Sequence, residues 1–354
     1  MPHRPIKVVI VDDSNLMRQM LSAALSRDQD IEIVGVAADP FEAREIIKTT
    51  NPDVITLDIE MPKMDGLSFL EKIMTLRPTP VVMVSSLTQS GSEATIRALE
   101  LGAVDYVGKP AGSEGYGFQR VAEDLIGKIK LAATARVGQL RRPTSQPATL
   151  PAPRRGGGRS FIAIGASTGG VERIRDILQV MPANCPPIVI TQHMGPSYLA
   201  SFAERLNKLS APAVALASQG ARLQQGTVYV APGEGHLAIS RDSLGYFCQI
   251  QDTAPVSGHR PSVDVLFHSV AKTAGANVVG AILSGMGRDG AAGMAAMRAA
   301  GAHTVGEQET SCVVYGMPRM AKEAGGVVLE LPLAQIAPEL LRAIDSIADR
   351  SKAS

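Results

Sequence analysis

Short apolar runs alternate with amphipathic stretches through the first 132 residues of the chain. The apolar runs are rich in β-branched residues and predict buried strands at 7–11, 31–37, 54–57, 81–85 and 105–108. Stretches with helical periodicity follow these runs and predict helices at 15–27, 40–49, 66–76, 92–101 and 117–135. Repeated strand–helix units predict a doubly wound parallel sheet, whose functional site lies beyond the carboxyl ends of the strands.

A second block of the same kind begins near residue 160. Apolar runs predict strands at 161–164, 187–191 and 277–283, and helices are predicted at 171–181, 197–209 and 291–300. The segment 226–239 is typical of a β-hairpin that turns around residues 232–235. We therefore expect an α/β protein with two doubly wound parallel-sheet domains.

Residues 133–159, between the two blocks, lack apolar periodicity. Prolines and arginines alternate in this stretch, and Gly156, Gly157 and Gly158 close it. Such a composition buries too little apolar surface to fold and indicates a flexible linker. The expected domains are therefore 1–132 and 160–350, joined by the linker 133–159.

Composition narrows the class of protein. The chain has 354 residues, enough for two domains, and a formal net charge of +1, which favours neither nucleic acid nor a membrane surface as a partner. Its three cysteines are far apart and indicate a reducing compartment rather than disulfides or a metal site. Because neither a signal peptide nor a membrane-spanning apolar run is evident, we expect a cytoplasmic protein that is not inserted in a membrane.

Charged and hydroxyl side chains follow the predicted strands of the first block. Asp12 and Asp13 follow the first strand, Asp58 ends the third, Ser86 follows the fourth and Lys109 the fifth. Parallel strands end at one edge of their sheet, so the three carboxylates would converge there and repel one another unless a cation lay among them. Carboxylates with retained waters are typical ligands of Mg²⁺, and a lysine and a hydroxyl beside them suit a phosphoryl group.

The residues around these carboxylates resemble bacterial response-regulator receiver domains, which have a flavodoxin-like fold. The match rests on IVDD at 10–13 and DIEMPKMDG at 58–66. The resemblance implies that Asp58 accepts a phosphoryl group from a histidine kinase. It also implies a Mg²⁺ site formed by Asp12, Asp13, Asp58 and the backbone carbonyl of Glu60. A conformational switch is implied as well, formed by Ser86, Tyr106 and Lys109.

The second block opens on the most informative segment of the chain, FIAIGASTGG at 161–170. A predicted strand ends there in a small-residue loop with Ser167 at its centre, and a predicted helix follows. A serine on such a turn is exposed beside backbone N–H groups, as a nucleophile requires, but glycines before a helix also cradle phosphates. The spacing fits neither GxGxxG nor a P-loop, and no acidic residue ends the next strand, so we favour the nucleophile.

His193 and Asp289 are expected at the same sheet edge as Ser167. His193 follows the second strand of the block, and Asp289 lies in a glycine-rich loop after strand 277–283. A serine nucleophile needs an imidazole base, and that base needs a carboxylate that fixes its tautomer. Taken singly, His193 is better explained by a strand-end hydrogen bond and Asp289 is as well explained by a helix N-cap, so the triad depends on all three residues. Asp264 is expected to cap a helix that starts near Val265.

The second block as a whole resembles the catalytic domain of chemotaxis protein-glutamate methylesterases, the CheB family, which has a Rossmann-like fold. The matching segments are IGASTGG at 164–170, QHM at 192–194, APG at 231–233, SGHRPSVD at 257–264 and LSGMGRDG at 283–290. The resemblance implies that Ser167 is the nucleophile, His193 the general base and Asp289 its orienting acid. It makes the N–H groups of Thr168 and Met286 candidates for the oxyanion hole. For the loop with His259 and Arg260, substrate contact and an ordinary loop both stay open.

The resemblance also implies an activity and partners. The expected reaction is hydrolysis of glutamyl methyl esters, with deamidation of particular glutamines, on chemoreceptors; the esterase needs no cofactor, and Mg²⁺ belongs to the receiver domain. We expect activation by a chemotaxis histidine kinase, and a monomer at the periphery of receptor arrays. Two other classes stay open: a regulatory protein whose second domain binds a partner without turnover, and a nucleotide-binding oxidoreductase.

Overall fold

The computed structural model describes residues 4–61, 64–86, 88–109, 116–138, 149–151 and 160–353. These residues form two compact units, one within 1–142 and the other within 143–354. Most of the expected linker, 139–148 and 152–159, lies outside the described residues, as do residues 62 and 63 of the acidic motif. Leu150, which lies within the expected linker, donates its N–H to the carbonyl of Val180 in the second unit.

The first unit is a five-stranded parallel sheet with strand order β2-β1-β3-β4-β5. Its strands are β1 (Ile6–Val11), β2 (Ile31–Ala37), β3 (Val54–Asp58), β4 (Val81–Ser85) and β5 (Asp105–Gly108). Its helices are α1 (Asn15–Leu25), α2 (Pro40–Thr50), α3 (Gly66–Leu76), α4 (Gln89–Glu100) and α5 (Tyr116–Ala132). Strands β3 and β4 are buried along their whole length, as expected of strands covered on both faces.

The second unit has a seven-stranded parallel sheet with the order β14-β13-β12-β6-β7-β9-β8. Its strands are β6 (Phe161–Ala166), β7 (Ile188–Gln192), β8 (Ala213–Leu216), β9 (Thr227–Val230), β12 (Val278–Ile282), β13 (His303–Glu307) and β14 (Leu329–Leu331). Strands β10 (His236–Asp242) and β11 (Gly245–Gln251) form a separate antiparallel hairpin. The helices are α6 (Gly170–Val180), α7 (Pro196–Leu209), α8 (Val263–Ala274), α9 (Ala291–Ala299), α10 (Met317–Glu323) and α11 (Leu333–Ala353), with a short 3₁₀ turn at Gly275–Asn277.

Each parallel sheet reverses its winding direction at one point. In the first unit the reversal lies between β1 and β3, and in the second it lies between β6 and β12. Loops diverge above such a point and leave a crevice beyond the carboxyl ends of the strands, which is where ligands bind in open α/β sheets. The prediction of two doubly wound parallel sheets is therefore confirmed, and each sheet has one natural place for a site.

Two local predictions for the second unit are wrong. The segment 226–239 is not a hairpin, because β9 joins the parallel sheet beside β7 and β8, while β10 pairs with β11. Helix α8 begins at Val263 and its N-cap is Ser262, whose Oγ accepts the N–H of Val265, so Asp264 lies inside the first turn instead of capping it. Within the described residues, no helix combines the length and the apolar character needed to cross a bilayer.

Candidate active site

Ser167 lies directly after β6, at the winding reversal of the second sheet. Its N–H donates to the carbonyl of Ser284 at 3.1 Å, and its carbonyl accepts the N–H of Gly170 and the side-chain amide of Gln192, both at 2.8 Å. Gly169 has φ 75°, a left-handed conformation that suits glycine and lets α6 start at once. The backbone of Ser167 is thus held by β6, by β7 and by the loop after β12. The position from which its hydroxyl projects is therefore fixed.

The loop after β12 approaches Ser167 so closely that only glycine fits at position 285. A Cβ atom on Gly285 would lie 2.8 Å from Cβ of Ser167 and 2.3 Å from Sδ of Met317. The N–H of Gly285 donates to Val314. Hydrogen bonds among the described residues include none from the N–H of Met286, the next residue, whose side chain is half exposed. Met286 therefore stays a candidate for the oxyanion hole.

His193 and Asp289 are in direct contact. The distance from Nε2 of His193 to Oδ2 of Asp289 is 2.7 Å, and both side chains are buried. Nδ1 of His193 is also buried and has no hydrogen-bond partner among the described residues. Because a carboxylate can only accept, the proton of the neutral ring lies on Nε2 and Nδ1 carries a free lone pair. The free nitrogen is the one that a general base needs.

The carboxylate of Asp289 is fixed from the start of α8. Oδ1 accepts the hydroxyl of Ser262 at 2.8 Å and the N–H of Asp264 at 3.1 Å, and Oδ2 accepts the N–H of Val263 at 2.7 Å. Burial raises the pKa of Asp289, but the hydrogen bonds from His193, Ser262 and Val263 outweigh burial and hold the pKa below its ordinary value. Asp289 is therefore a carboxylate at neutral pH, stabilised by a helix N-terminus.

These contacts bring the three predicted catalytic residues to one edge. Ser167 and His193 follow strands that are neighbours in register, Ala166 being paired with Gln192, and the N–H of His193 donates to Ala166. The hydrogen bonds of the described residues include none between Oγ of Ser167 and His193. Transfer of the serine proton to Nδ1 requires the two atoms to come within hydrogen-bond distance, and such contacts commonly tighten only when substrate binds.

Sequence reasoning missed several residues of the site. Ser262 and Gln192 were not singled out, although they hold Asp289 and Ser167. Glu307 was also missed: it is fully buried, and it accepts the N–H of Ser284 at 2.9 Å. Their signals are weak in sequence because a serine before a helix, or a polar residue at a strand end, is common without catalysis.

His259 lies against His193. Its ring stacks on that of His193, with 3.8 Å between ring centroids and 6° between ring planes. Burial, followed by the charge of His193, lowers the pKa of His259 to about 4, against a smaller opposite effect of Asp289. His259 is therefore neutral near pH 7.

The first unit gathers acidic residues at its own winding reversal. Asp12, Asp13 and Asp58 each contribute one carboxylate oxygen to a group of three atoms that lie within 4.8 Å of one another. Nζ of Lys109 lies 2.7 Å from Oδ2 of Asp58 and 3.3 Å from Oδ2 of Asp12. Burial raises the pKa of Asp58 to about 6; the hydrogen bond from Lys109 works against burial, and the charge of Asp12 adds to it. Three carboxylates against one lysine leave an excess of negative charge that suits a divalent cation.

The remaining residues predicted for this site lie as follows. The N–H of Glu60 donates to Oδ1 of Asp58 at 3.3 Å, which turns the chain after β3 beside the carboxylates. Oγ of Ser86 lies 3.1 Å from Oγ1 of Thr88, the residue that caps α4. Tyr106 is half buried on β5, where its carbonyl accepts Nζ of Lys128 and its ring lies 4.9 Å from the same atom. Ser86 thus follows β4, the strand beside β3, and Tyr106 lies on β5, one strand further from Asp58.

Comparisons with known proteins agree with this division of the chain. A family model described as CheB methylesterase matches residues 162–340, and one described as Response regulator receiver domain matches residues 8–115. A protein from Rhizobium etli named protein-glutamate methylesterase/protein-glutamine glutaminase is 56% identical over 344 residues, which are 96% of each chain. A protein of the same name from Salmonella choleraesuis is 52% identical, with 96% of this chain and 97% of that one covered.

A solved structure resembles the second unit. The crystal structure of the Thermotoga maritima CheB methylesterase catalytic domain has a TM-score of 0.51 and 33% sequence identity, and it covers 52% of this chain and 97% of that one. Its coverage agrees with the separate fold of the second unit. The chain therefore belongs to the CheB methylesterase family, with a response-regulator receiver domain ahead of the catalytic domain.

Proposed function

We propose that the chain is a protein-glutamate methylesterase and protein-glutamine glutaminase with a Ser-His-Asp mechanism, activated by phosphorylation of its receiver domain. The observation that carries the esterase is the pairing of Nε2 of His193 with Asp289, because it leaves Nδ1 as a buried, unpartnered base among the described residues beside the strand that presents Ser167. Relatives more than half identical over nearly their whole length bear the corresponding name.

In the first half-reaction, Oγ of Ser167 attacks the side-chain carbonyl carbon of a glutamyl methyl ester. Nδ1 of His193 takes the hydroxyl proton, and Asp289 stabilises the resulting imidazolium. The carbonyl oxygen becomes an oxyanion, for which the N–H groups of Thr168 and Met286 are the proposed donors. The tetrahedral intermediate then expels methanol, which receives the proton from His193, and an acyl-enzyme ester on Ser167 remains.

In the second half-reaction, water attacks the acyl-enzyme, and His193 again serves as the base. The products are free Ser167 and a glutamate side chain. Deamidation of a glutamine follows the same path, with ammonia as the first leaving group in place of methanol. Neither half-reaction requires a cofactor, since water is the only co-substrate.

For the receiver domain we propose phosphoryl transfer from a histidine kinase to Asp58. Asp12, Asp13, Asp58 and the carbonyl of Glu60 would hold Mg²⁺, which when bound offsets the negative charge of the phosphoryl group and the carboxylates. Lys109 lies within ion-pair distance of Asp58 and Asp12 and would also neutralise the added charge. Ser86 and Tyr106 are proposed to change position when Asp58 is phosphorylated.

The partners and the location follow from this function. We propose that the substrates are the cytoplasmic helices of chemoreceptors and that the phosphodonor is a chemotaxis histidine kinase. The protein then works in the cytoplasm, as a monomer at the periphery of receptor arrays. The domain boundaries that we propose are 1–132 and 160–350, with a flexible linker at 133–159.

The decisive test is release of methanol from methylated receptor membranes. The wild-type chain is expected to release methanol, while Ser167→Ala and His193→Gln reduce the rate by about 10³-fold or more, since neither can form the acyl-enzyme at a useful rate. Ser197→Ala, on the exposed first turn of α7, is the control and is expected to match the wild type. Equal rates for the wild type and Ser167→Ala would rule out the serine mechanism.

A further inference from the structure

The stacked ring of His259 is positioned by its own backbone. Residues Val256 and His259 exchange both backbone hydrogen bonds, at 3.0 and 2.9 Å, around a two-residue turn. The two central residues, Ser257 and Gly258, have φ values of 53° and 82°. Positive φ at both central positions defines the tight turn that joins paired strands most closely. His259 is therefore presented by a constrained turn, rather than by a loop with many conformations.

The contact covers one face of the ring proposed to be the general base. With parallel planes and centroids 3.8 Å apart, the His259 ring excludes water from that face of His193. The side chain of His193 is only 6% exposed. Asp289 holds the same ring at Nε2. One hydrogen bond leaves a ring free to tilt about it, and the stacked face removes that freedom.

We infer that His259 is a positioning residue, whose neutral ring fixes the plane of His193 so that Nε2 stays on Asp289 and Nδ1 stays available to Ser167. This inference rests on the proposed function, because it assumes that His193 is the general base.

The charge state of His259 is important for this role. During catalysis His193 becomes an imidazolium, and a second positive ring 3.8 Å away would oppose that change. The pKa of His259, about 4, keeps its ring neutral through the working range of pH. The charges that act on the His259 ring are those of His193 and Asp289. Asp252 is paired with Arg260 at 3.0 Å, and His236 accepts the N–H of Ser262.

The test uses the full chain with a small glutamyl methyl ester, N-acetylglutamate γ-methyl ester amide, and follows methanol release from pH 5 to pH 9. His259→Ala is expected to lower kcat by about 10- to 100-fold, the usual cost of a misplaced catalytic group, with KM within about twofold of the wild type. The acidic limb of the kcat–pH profile of His259→Ala is expected at higher pH than that of the wild type. The reason is that water on the opened face of His193 favours the protonated ring. His259→Phe, which keeps a flat ring, is expected to recover most of kcat.

His268→Gln is the matched control, since His268 is an exposed histidine on α8, and it is expected to behave as the wild type. Unchanged kcat and pH profile in His259→Ala would overturn the inference, and so would a change confined to KM, which would make His259 a substrate contact. Equal defects in His259→Phe and His259→Ala at equal melting temperature would also overturn it. If His259→Ala folds poorly, His259→Leu, which fills the space without a flat ring, replaces it.

The same experiment separates this inference from the proposed function. A wild-type chain that releases no methanol, or a His193→Gln variant as active as the wild type, would contradict the proposed function itself. If the wild type is active and His193→Gln is inactive, the proposed function stands, and the results for the His259 variants then test only the positioning role of His259.

Discussion

The carboxylate of Asp289 serves two structural elements at once. It orients the ring of His193, and it accepts the N–H groups of Val263 and Asp264 at the start of α8. Sequence reasoning weighed a catalytic acid against a helix cap for this residue. The N-cap of α9, the helix that follows, is Gly290, and Asp289 instead binds the first N–H groups of α8, which precedes it in the chain. The catalytic role stays a proposal.

This double role makes Asp289→Asn a sharp test. Each carboxylate oxygen accepts at least one backbone N–H, so an amide must face one of these donors with its own NH₂ group. We expect kcat to fall by about 10³- to 10⁴-fold, because the tautomer of His193 is no longer fixed. The unfolding free energy is expected to drop by about 1–3 kcal/mol near pH 7, the cost of an unpaired buried donor. Kinetics and urea denaturation measure the two effects.

The stability effect of Asp289→Asn has a defined dependence on pH. The pKa of Asp289 is lower in the folded chain than its ordinary value of 3.8, so its carboxylate stabilises the fold fully above that value. The contribution is lost as the pH falls below 3.8 and through the folded pKa. The difference between wild type and Asp289→Asn should therefore shrink on acidification, whereas Asp252→Asn, at a 90% exposed side chain, should cost little at any pH. A difference that stays constant down to pH 3 would contradict this account.

Among the secondary-structure elements, the parallel strands were the most predictable from sequence. Continuous apolar runs such as 161–164 and 277–283 can only be buried on both faces, and this also placed Ser167, His193 and Asp289 at one edge. The partner of a strand is less predictable, because pairing is decided by contacts distant in sequence. The segment 226–239 looked like a hairpin for that reason, although its first strand lies in the large sheet and its second pairs with β11. The stacking of His259 on His193 was unpredictable in the same way.

Glu307, at the end of β13, connects the loop that holds Ser167 to helix α6. Its buried carboxylate accepts the N–H of Ser284, and Oε1 lies 3.5 Å from Nε of Arg173, whose side chain is 11% exposed. Ser284 in turn accepts the N–H of Ser167. A buried carboxylate that pairs with an arginine and holds a loop is expected to matter for both stability and turnover.

We therefore predict that Glu307→Ala lowers the unfolding free energy by about 1–3 kcal/mol, because it leaves the N–H of Ser284 without its buried acceptor, while Arg173 keeps its pair with Glu172. kcat should also fall, because the loop that supports Ser167 loses an anchor. Urea denaturation and methanol release measure these effects. Glu309→Ala, at an exposed position two residues away, is the control and should change neither by much. A Glu307→Ala chain as stable as the control would show that the loop is held by other contacts.

At the scale of the whole molecule, the proposed phosphorylation site and the proposed esterase site occupy separate compact units of one chain. Each proposed site lies at the winding reversal of its own sheet. Residues 160–354 lie within one compact unit that has its own sheet and its own hydrophobic core. Any influence of Asp58 on Ser167 must therefore be a coupling free energy between two folded units, and the expected form is inhibition by the unphosphorylated receiver domain.

This coupling predicts how the rate of methanol release should differ between the full chain, its variants and the isolated second unit. A small acyl phosphate with Mg²⁺ should raise methanol release by the full chain about 5- to 150-fold, the usual range of such coupling, and should leave Asp58→Asn unchanged. Asp124→Asn, at a half-exposed position on α5, is the control and should respond as the wild type does. The fragment 160–354 should be active without a phosphodonor, because the inhibiting domain is absent. If the fragment were no more active than the unphosphorylated full chain, inhibition would be excluded, and activation would have to come from contacts that the phosphorylated receiver makes.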